Sequence, residues 1–476
     1  MRGAPPLARE AAGPAGRPAS LRSVRRVLAL LAVLMVAGGA LRAAEAASPS
    51  KHQSADERAY IGLARGLVDK DAYGAVEGMD DPAHWVPGAP LMFAVGYRLS
   101  AAPGRANWDV PAVYVEQAIV GTLTIGATFL LGMLLAGPVA GLIAAAIIAF
   151  YTPLLRATGD MLSEPLGALL ITSAMAATVW AMKDPRPRRA LVCGLLLAAT
   201  VLTRADLALA PGFGLVAVGI AAWRQAEAGR RPRTVAVALA PLVVGAAVLL
   251  VPWSIVASTI SDRFVPLSSG GQSVFFMGTY LPGDGSLFGA KKALAAETVR
   301  RDPSLAGRRY FQLRQLDVIK TVAARRPDLP EGKALSAAGW QNLRTYAVHQ
   351  PVAYAEMMVR KAWRLWGSYT IGTFGQVQPL VRAYHLLVVA LGLVGLVAGL
   401  ALGRGRRGGF LVVLAVLLYA TAVNMVLVSE ARHNMPLMPL VAAVGVAGVV
   451  LGVRELRARR TAAPEPGSEP ATLPAS

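Results

Sequence analysis

Runs of apolar residues long enough to cross a hydrocarbon core of about 30 Å recur along most of this chain. They fall at 27–41, 112–135, 138–153, 165–182, 190–206, 207–223, 234–256, 384–402, 410–428 and 435–453. A segment in lipid must satisfy its own backbone polar groups, so these runs are read as helices. The fold class that follows is an all-α membrane protein of about ten transmembrane helices. With 55% hydrophobic and only 16% charged residues over 476 positions, the solvent for most of the chain is lipid. The net charge of +20 resides in Arg clusters between apolar runs and not on one basic face, so topology explains it and a nucleic-acid partner is not expected. The single cysteine, Cys193, lies inside an apolar run, which excludes an intramolecular disulfide and a cysteine metal cluster.

Residues 1–26 read as a disordered basic tail that ends in Arg22, Arg25 and Arg26, and residues 454–476 as a second tail. Both are placed in the cytoplasm, as are the Arg-rich loops at 183–189, 224–233 and 404–407. A cleaved signal peptide is the rival reading of the first run, since Ala43 to Ala47 resembles a small-residue cleavage site. Between the tails, 27–453 reads as one polytopic unit with two long extracytoplasmic loops, 42–111 and 258–382. The runs at 190–206 and 207–223 flank Thr203-Arg204-Ala205-Asp206 and are expected to form a shallow hairpin.

In the first loop, Tyr60, Leu63, Ala64, Leu67 and Val68 follow helical spacing and predict a helix lying along the membrane interface. Ser54 followed by Glu57 matches a capping box, and Asp56 sits in the first turn, where the helix dipole favours its charge. Those structural roles compete with chemistry for both acids. Further along, Asp80-Asp81-Pro82-Ala83-His84-Trp85 leads into the turn-rich Pro87-Gly88-Ala89-Pro90-Leu91; His84 reads as a loop residue or as part of a cavity wall. In the second loop, Tyr354 to Trp366 is amphipathic and carries Arg360, Lys361 and Arg364. It reads either as an interfacial helix or as a holder of an anionic lipid. Gly270-Gly271 and Gly283-x-Gly285 are read as turns, because no strand or P-loop lysine surrounds them.

Asp56-Glu57-x-x-Tyr60-x-x-Leu63-Ala64 after a first span resembles the first-loop motif of the type C glycosyltransferases (GT-C). The bacterial branch with the protein mannosyltransferases, the lipid A aminoarabinose transferase and the rhizobial lipopolysaccharide-core transferases is the most similar. Later segments agree in order. They are Pro87-Gly88-Ala89-Pro90-Leu91, Met161-Leu162-Ser163-Glu164, Leu202-Thr203-Arg204, and Val251-Pro252-Trp253 with Arg263-Phe264-Val265-Pro266-Leu267-Ser268. Glu430-Ala431-Arg432-His433-Asn434-Met435-Pro436-Leu437-Met438-Pro439-Leu440 resembles the motif before the last span, with His433 where the family has Tyr. Ala89 likewise stands where the family often has Lys or Tyr.

The resemblance implies a multi-pass inner-membrane enzyme that moves a hexose or pentose from a polyprenyl-phosphate donor to an extracytoplasmic glycan, lipid or protein. An acceptor hydroxyl would attack the anomeric carbon while lipid phosphate departs, which requires a base and cations rather than an acid. By this carry-over Asp56 is the base and Glu57 its neighbour or a metal contact. Tyr60, His84, Asp160, Glu164, Arg204, Arg432 and His433 are the substrate-binding set, Arg being suited to phosphate by its planar fork. Plainer roles stand beside these: Arg432 snorkelling, Arg204 paired with Asp206, and Glu164 as a helix-start acid. Asp160 and Glu164, four apart, would share a helical face opposite the first-loop acids. A divalent cation is left open, since two or three loop acids are not a metal signature. A secondary transporter and a non-catalytic lipid-carrier binding subunit are the alternatives, and neither paired repeats nor matched broken helices favour the first.

Overall fold

The computed structural model describes residues 21–49, 54–69, 72–74, 82–100, 111–369 and 377–462. Asp80 and Asp81 and most of both tails lie outside this set. Among the described residues every regular element is a helix, and eight helices are long and apolar enough to cross a membrane. The protein is a multi-pass membrane protein.

Helix α1 (Leu21–Ala46) leads to α2 (Ala55–Asp69) and α3 (Gly88–Ser100) at one end of the bundle. The chain then returns through α4 (Pro111–Ala136). The run expected as one span at 138–153 is instead broken into α5 (Pro138–Ala149) and α6 (Thr152–Arg156), bent by 57°. Pro153 cannot continue the ladder, and the carbonyls freed at the break need partners. Arg42 of α1 supplies them: it is fully buried and donates to Ile148 O at 3.1 Å and Ala149 O at 3.2 Å. Helices α7 (Glu164–Lys183), α8 (Pro187–Thr203), α9 (Ala210–Gln225) and α10 (Arg231–Ile260) follow. The hairpin expected at 190–223 is formed by α8, of 17 residues and about 25 Å, and α9, with Arg204 at the turn between them.

A helical unit follows α10: α11 (Gly271–Thr279), α12 (Leu287–Arg301), α13 (Gln315–Ala323), α14 (Glu331–Asn342) and α15 (Pro351–Trp366). It has its own core of Phe276, Met277, Leu294, Val318 and Leu335. On α15, Val352, Val359 and Trp363 remain exposed, whereas the cations turn to protein. Lys361 is buried and donates to Gly278 O and Met425 O, and Arg360 pairs with Asp284. The arrangement fits an interfacial helix better than a lipid-phosphate clamp. Burial pushes the Lys361 ammonium down to about 7.

Helices α16 (Gln378–Leu402), α17 (Arg407–Val426) and α18 (Met438–Ala462) complete the bundle. Between α16 and α18 the packing partners are glycines. A Cβ at Gly395 would collide with Gly445 O, and one at Gly448 would collide with Gly395 O. Small residues let the backbones touch where lipid offers no hydrophobic drive for association. Gly395→Val is expected to cost about 3 kcal/mol, seen as a lower thermal midpoint in detergent; an unchanged midpoint would show that the seam is loose.

The α4 C-terminus and the loops after α7, α9 and α16 share one end of the bundle. There Lys183, Arg406 and Arg454 donate to Leu134 O, Leu135 O and Ala136 O, closing the last carbonyls of α4. At the opposite end, the apolar stripe of α2 is covered, since Ile61 and Ala64 pack with Ala89, Phe93 and Val113. The first-loop helix with an exposed apolar stripe is instead α3, whose Leu91, Val95 and Leu99 are uncovered. One helix had to cover the other, and periodicity alone does not say which remains outside.

Candidate active site

The capping box forms as the spacing predicts. Glu57 N donates to Ser54 Oγ at 3.2 Å, and Ser54 N to Glu57 Oε2 at 2.7 Å. Glu57 Oε1 accepts from Met161 N at 3.0 Å, so both carboxylate oxygens are committed to backbone and the side chain is buried. Glu57 therefore faces away from the cavity that Asp56, one residue earlier, lines. Its expected place as a site or metal contact is replaced by a positioning one.

Asp56 opens into a cavity of about 190 Å³ together with Tyr60, His84, Glu164, Arg204, Arg432 and His433. These residues come from α2, the turn before α3, the start of α7, the end of α8 and the segment before α18. Arg432 is their hub. Its Nη2 donates to Asp56 Oδ2, its Nε to Glu430 Oε2 at 3.1 Å, and its Nη1 lies 3.8 Å from Glu164 Oε1. Arg204 faces the same Glu164 oxygen at 3.6 Å and grips Asp206 through two hydrogen bonds of 3.0 and 2.8 Å. The pairing of Arg204 with Asp206 and the shared cavity thus coexist.

Glu164 is 2% exposed, and its Oε2 has no hydrogen-bond partner among the described residues. A buried carboxylate oxygen left without a donor is a place for a ligand's hydroxyl. Tyr60 donates to Ser163 Oγ at 3.3 Å, and burial, then Asp56 and Glu164, raise its phenol. Burial alone would raise Asp56, but the Arg432 guanidinium beside it holds its carboxyl below the usual range. His433 Nδ1 meets Asn424 Oδ1 at 2.7 Å.

The motifs quoted from sequence build the rim of this cavity by touching one another. A Cβ on Gly88 would collide with Thr203 Oγ1, so only glycine lets the turn before α3 approach the end of α8. Trp253 donates to Leu267 O at 2.7 Å, and Ser268 Oγ donates to His84 O at 2.6 Å. Tyr73, edge-on to Trp253, donates to Trp85 O at 2.9 Å. These bonds fix His84 and Trp85 from behind.

Asp160 does not join the cavity. Helix α7 begins only at Glu164, and the backbone at Asp160 is extended, so the two acids share no helical face. Burial, with Glu57 next, pushes the Asp160 carboxyl up to about 7. A raised carboxylate pKa means that ionisation opposes folding, and the penalty grows from pH near 4 to near 7 and is level above. Asp160→Asn is expected to stabilise the fold by on the order of 2 kcal/mol at pH 8 and by less at pH 5, read as a rise in the thermal midpoint. Equal gains at both values would contradict this.

Sequence reasoning missed Thr203 and Trp85 as lining residues, and it missed Lys291 entirely. Lys291 on α12 is buried; burial lowers its ammonium, while Glu430, Asp317 and Asp56 act to raise it. A lysine in a long loop carries no periodic or motif signal, so only the fold brings it near. Among the described residues no group of three or more His, Cys, Asp or Glu side chains is arranged to hold a metal ion.

No family model and no curated protein matches the chain. Solved structures do. The archaeal oligosaccharyltransferase AglB from Archaeoglobus fulgidus, in complex with an inhibitory peptide and a dolichol-phosphate, superposes with a TM-score of 0.53 at 13% identity. The match covers 93% of this chain and 52% of that one, so the chain spans about half the length of the enzyme it resembles. The apo form of the Archaeoglobus fulgidus enzyme gives 0.53 at 14% identity, again over 93% and 52%. ArnT from Cupriavidus metallidurans, bound to undecaprenyl phosphate, matches over 93% of this chain and 80% of that one at 17% identity, with a TM-score of 0.39. Over nine-tenths of its length, this chain shares the fold of that oligosaccharyltransferase.

Proposed function

We propose that this chain is a membrane glycosyltransferase of the inner membrane that transfers a sugar from a polyprenyl-phosphate donor to an extracytoplasmic acceptor. The observation that carries the reading is the Asp56–Arg432 pair inside a cavity that a second arginine also faces. The Arg-rich loops at the far end of the bundle support an extracytoplasmic position for the cavity. The dolichol-phosphate bound by the structurally similar oligosaccharyltransferase supports a lipid-linked phosphate donor.

Four carboxylates, Asp56, Glu164, Asp206 and Glu430, surround two guanidiniums in the cavity. A donor phosphate competes for Arg432 with its charge and fork geometry. As the guanidinium turns to phosphate, Asp56 loses the partner that depresses its pKa and becomes a better base. Donor binding thereby prepares the proton acceptor. The acceptor hydroxyl then attacks the anomeric carbon, its proton passes to Asp56, and the C–O bond to phosphate breaks with the electron pair leaving on phosphate. Arg432 and Arg204 hold the charge that develops there. Glu164 Oε2 offers an acceptor to a sugar hydroxyl. Lipids of the membrane surround the bundle, and glycan, lipid or protein acceptors all supply the required hydroxyl.

The test supplies purified full-length protein with a panel of radiolabelled polyprenyl-phosphate sugars and membrane extract. Movement of one label into an acceptor is expected. Uptake of free solute without transfer, or retention of every label on its carrier, would overturn the reading.

A further inference from the structure

A second cavity, of about 610 Å³, opens within the α11–α15 unit and shares no residue with the Asp56 cavity. Its chemistry is mixed cationic, aromatic and amide. Arg325 is clasped by Glu297 at 2.9 and 2.6 Å, and Arg326 by Asp328 at 2.9 and 2.8 Å. Arg344 has no acidic partner among the described residues, so the wall keeps one uncompensated positive charge.

Trp340 lies four residues before Arg344 and therefore on the same helical face. Phe275 holds the Trp340 ring edge-on at 5.3 Å, yet the residue is 59% exposed. A fixed, exposed indole beside a cavity is a mark of binding. The helix widens into a π turn over Leu343–Ala347, a local departure that is frequent at functional sites. Gln341 faces the same cavity and adds amide donors and acceptors. A ring for sugar C–H faces, amides for hydroxyls and a guanidinium fork for an anion together describe a site for a carbohydrate that carries a carboxylate or phosphate.

The place of the cavity gives it a role. Helix α11 starts at Gly271, next to Gly270, whose Cβ position lies 2.8 Å from the His84 ring, and it ends against Tyr280, which lines the second cavity. Its nine residues span about 13 Å. The two cavities thus stand one short helix apart, a separation that a chain of a few sugar units bridges. From this juxtaposition we infer that the cavity of Trp340 and Arg344 is a remote acceptor subsite for an anionic oligosaccharide; this rests on the glycosyltransferase reading above. Binding there, away from the reacting atoms, holds the acceptor for reaction at the first cavity.

The experiment titrates full-length protein in detergent with hyaluronan tetrasaccharide, with a phosphorylated mannan trisaccharide, and with neutral chitotetraose. At least one anionic probe is expected to bind about tenfold or more tighter than the neutral one. Arg344→Ala and Trp340→Ala should each weaken that binding about tenfold, the loss of one charge-assisted pair or one ring contact. Which probe binds tells a carboxylate from a phosphate source. Binding of neither anionic probe, equal affinity for the neutral one, or affinity unmoved by both substitutions would overturn the subsite. Failure of the glycosyltransferase reading is seen separately, as absence of label transfer by a protein whose tetrasaccharide binding and its dependence on Arg344 are intact.

Discussion

Asp56→Asn is expected to reduce sugar transfer from a polyprenyl-phosphate donor by about 10² to 10⁴-fold, the usual worth of a positioned base. The amide retains the shape of the carboxylate and a hydrogen-bond acceptor for Arg432, so folding and donor binding should persist. A variant that still folds, with a lowered thermal midpoint and donor still bound, makes the loss of transfer specific to chemistry. Full transfer by Asp56→Asn would remove the base from this residue. It would leave the cavity with a purely electrostatic part in the reaction.

Arg432→Met should act on both folding and transfer. The guanidinium is the common partner of Asp56, Glu164 and Glu430, and removing it strands negative charge, most of all on the buried Glu164. Breaking such a pair from one side typically costs about 3–5 kcal/mol. Because Asp56 is held below its unfolded pKa, the pair's contribution is present above pH near 4 and is lost as pH falls further. The variant should therefore lack that acid-side loss of stability. Combining Arg432→Met with Asp56→Asn should recover part of the folding stability and none of the transfer. Thermal melts across pH 3–8 check the first statement, and label transfer checks the second. Additive destabilisation in the double variant would show that the two side chains do not interact in the folded protein.

Features that depend on near neighbours along the chain are legible in the sequence itself. The Ser54–Glu57 box is set within one turn, and the Arg-rich loops follow from the alternation of spans. Asp56, Tyr60, Glu164, Arg204, Arg432 and His433, all in segments that the resemblance singles out, line one cavity, and so does His84, which the turn-rich stretch alone offered as part of a cavity wall. What escapes the sequence depends on residues far apart in the chain. Glu57 is turned aside by Met161 N, more than a hundred residues away. The bend after Ala149 is tolerated only because Arg42 of another helix meets its carbonyls. Asp160 looks like a partner for Glu164 under helical spacing, but the helix starts too late. Spacing presumes an element; only packing shows where the element begins.

The glycine seam between α16 and α18 bears on how one side of the cleft is held. Arg432 and His433 stand at the head of α18, whose backbone is set directly against that of α16, since a Cβ at Gly395 or Gly448 has no room. Asp56 stands across the cleft on the fifteen-residue α2, which packs on α3 and α4. In the proposed reading, a donor phosphate would be registered against Arg432 at the head of α18, on the side of the cleft that the seam holds in place.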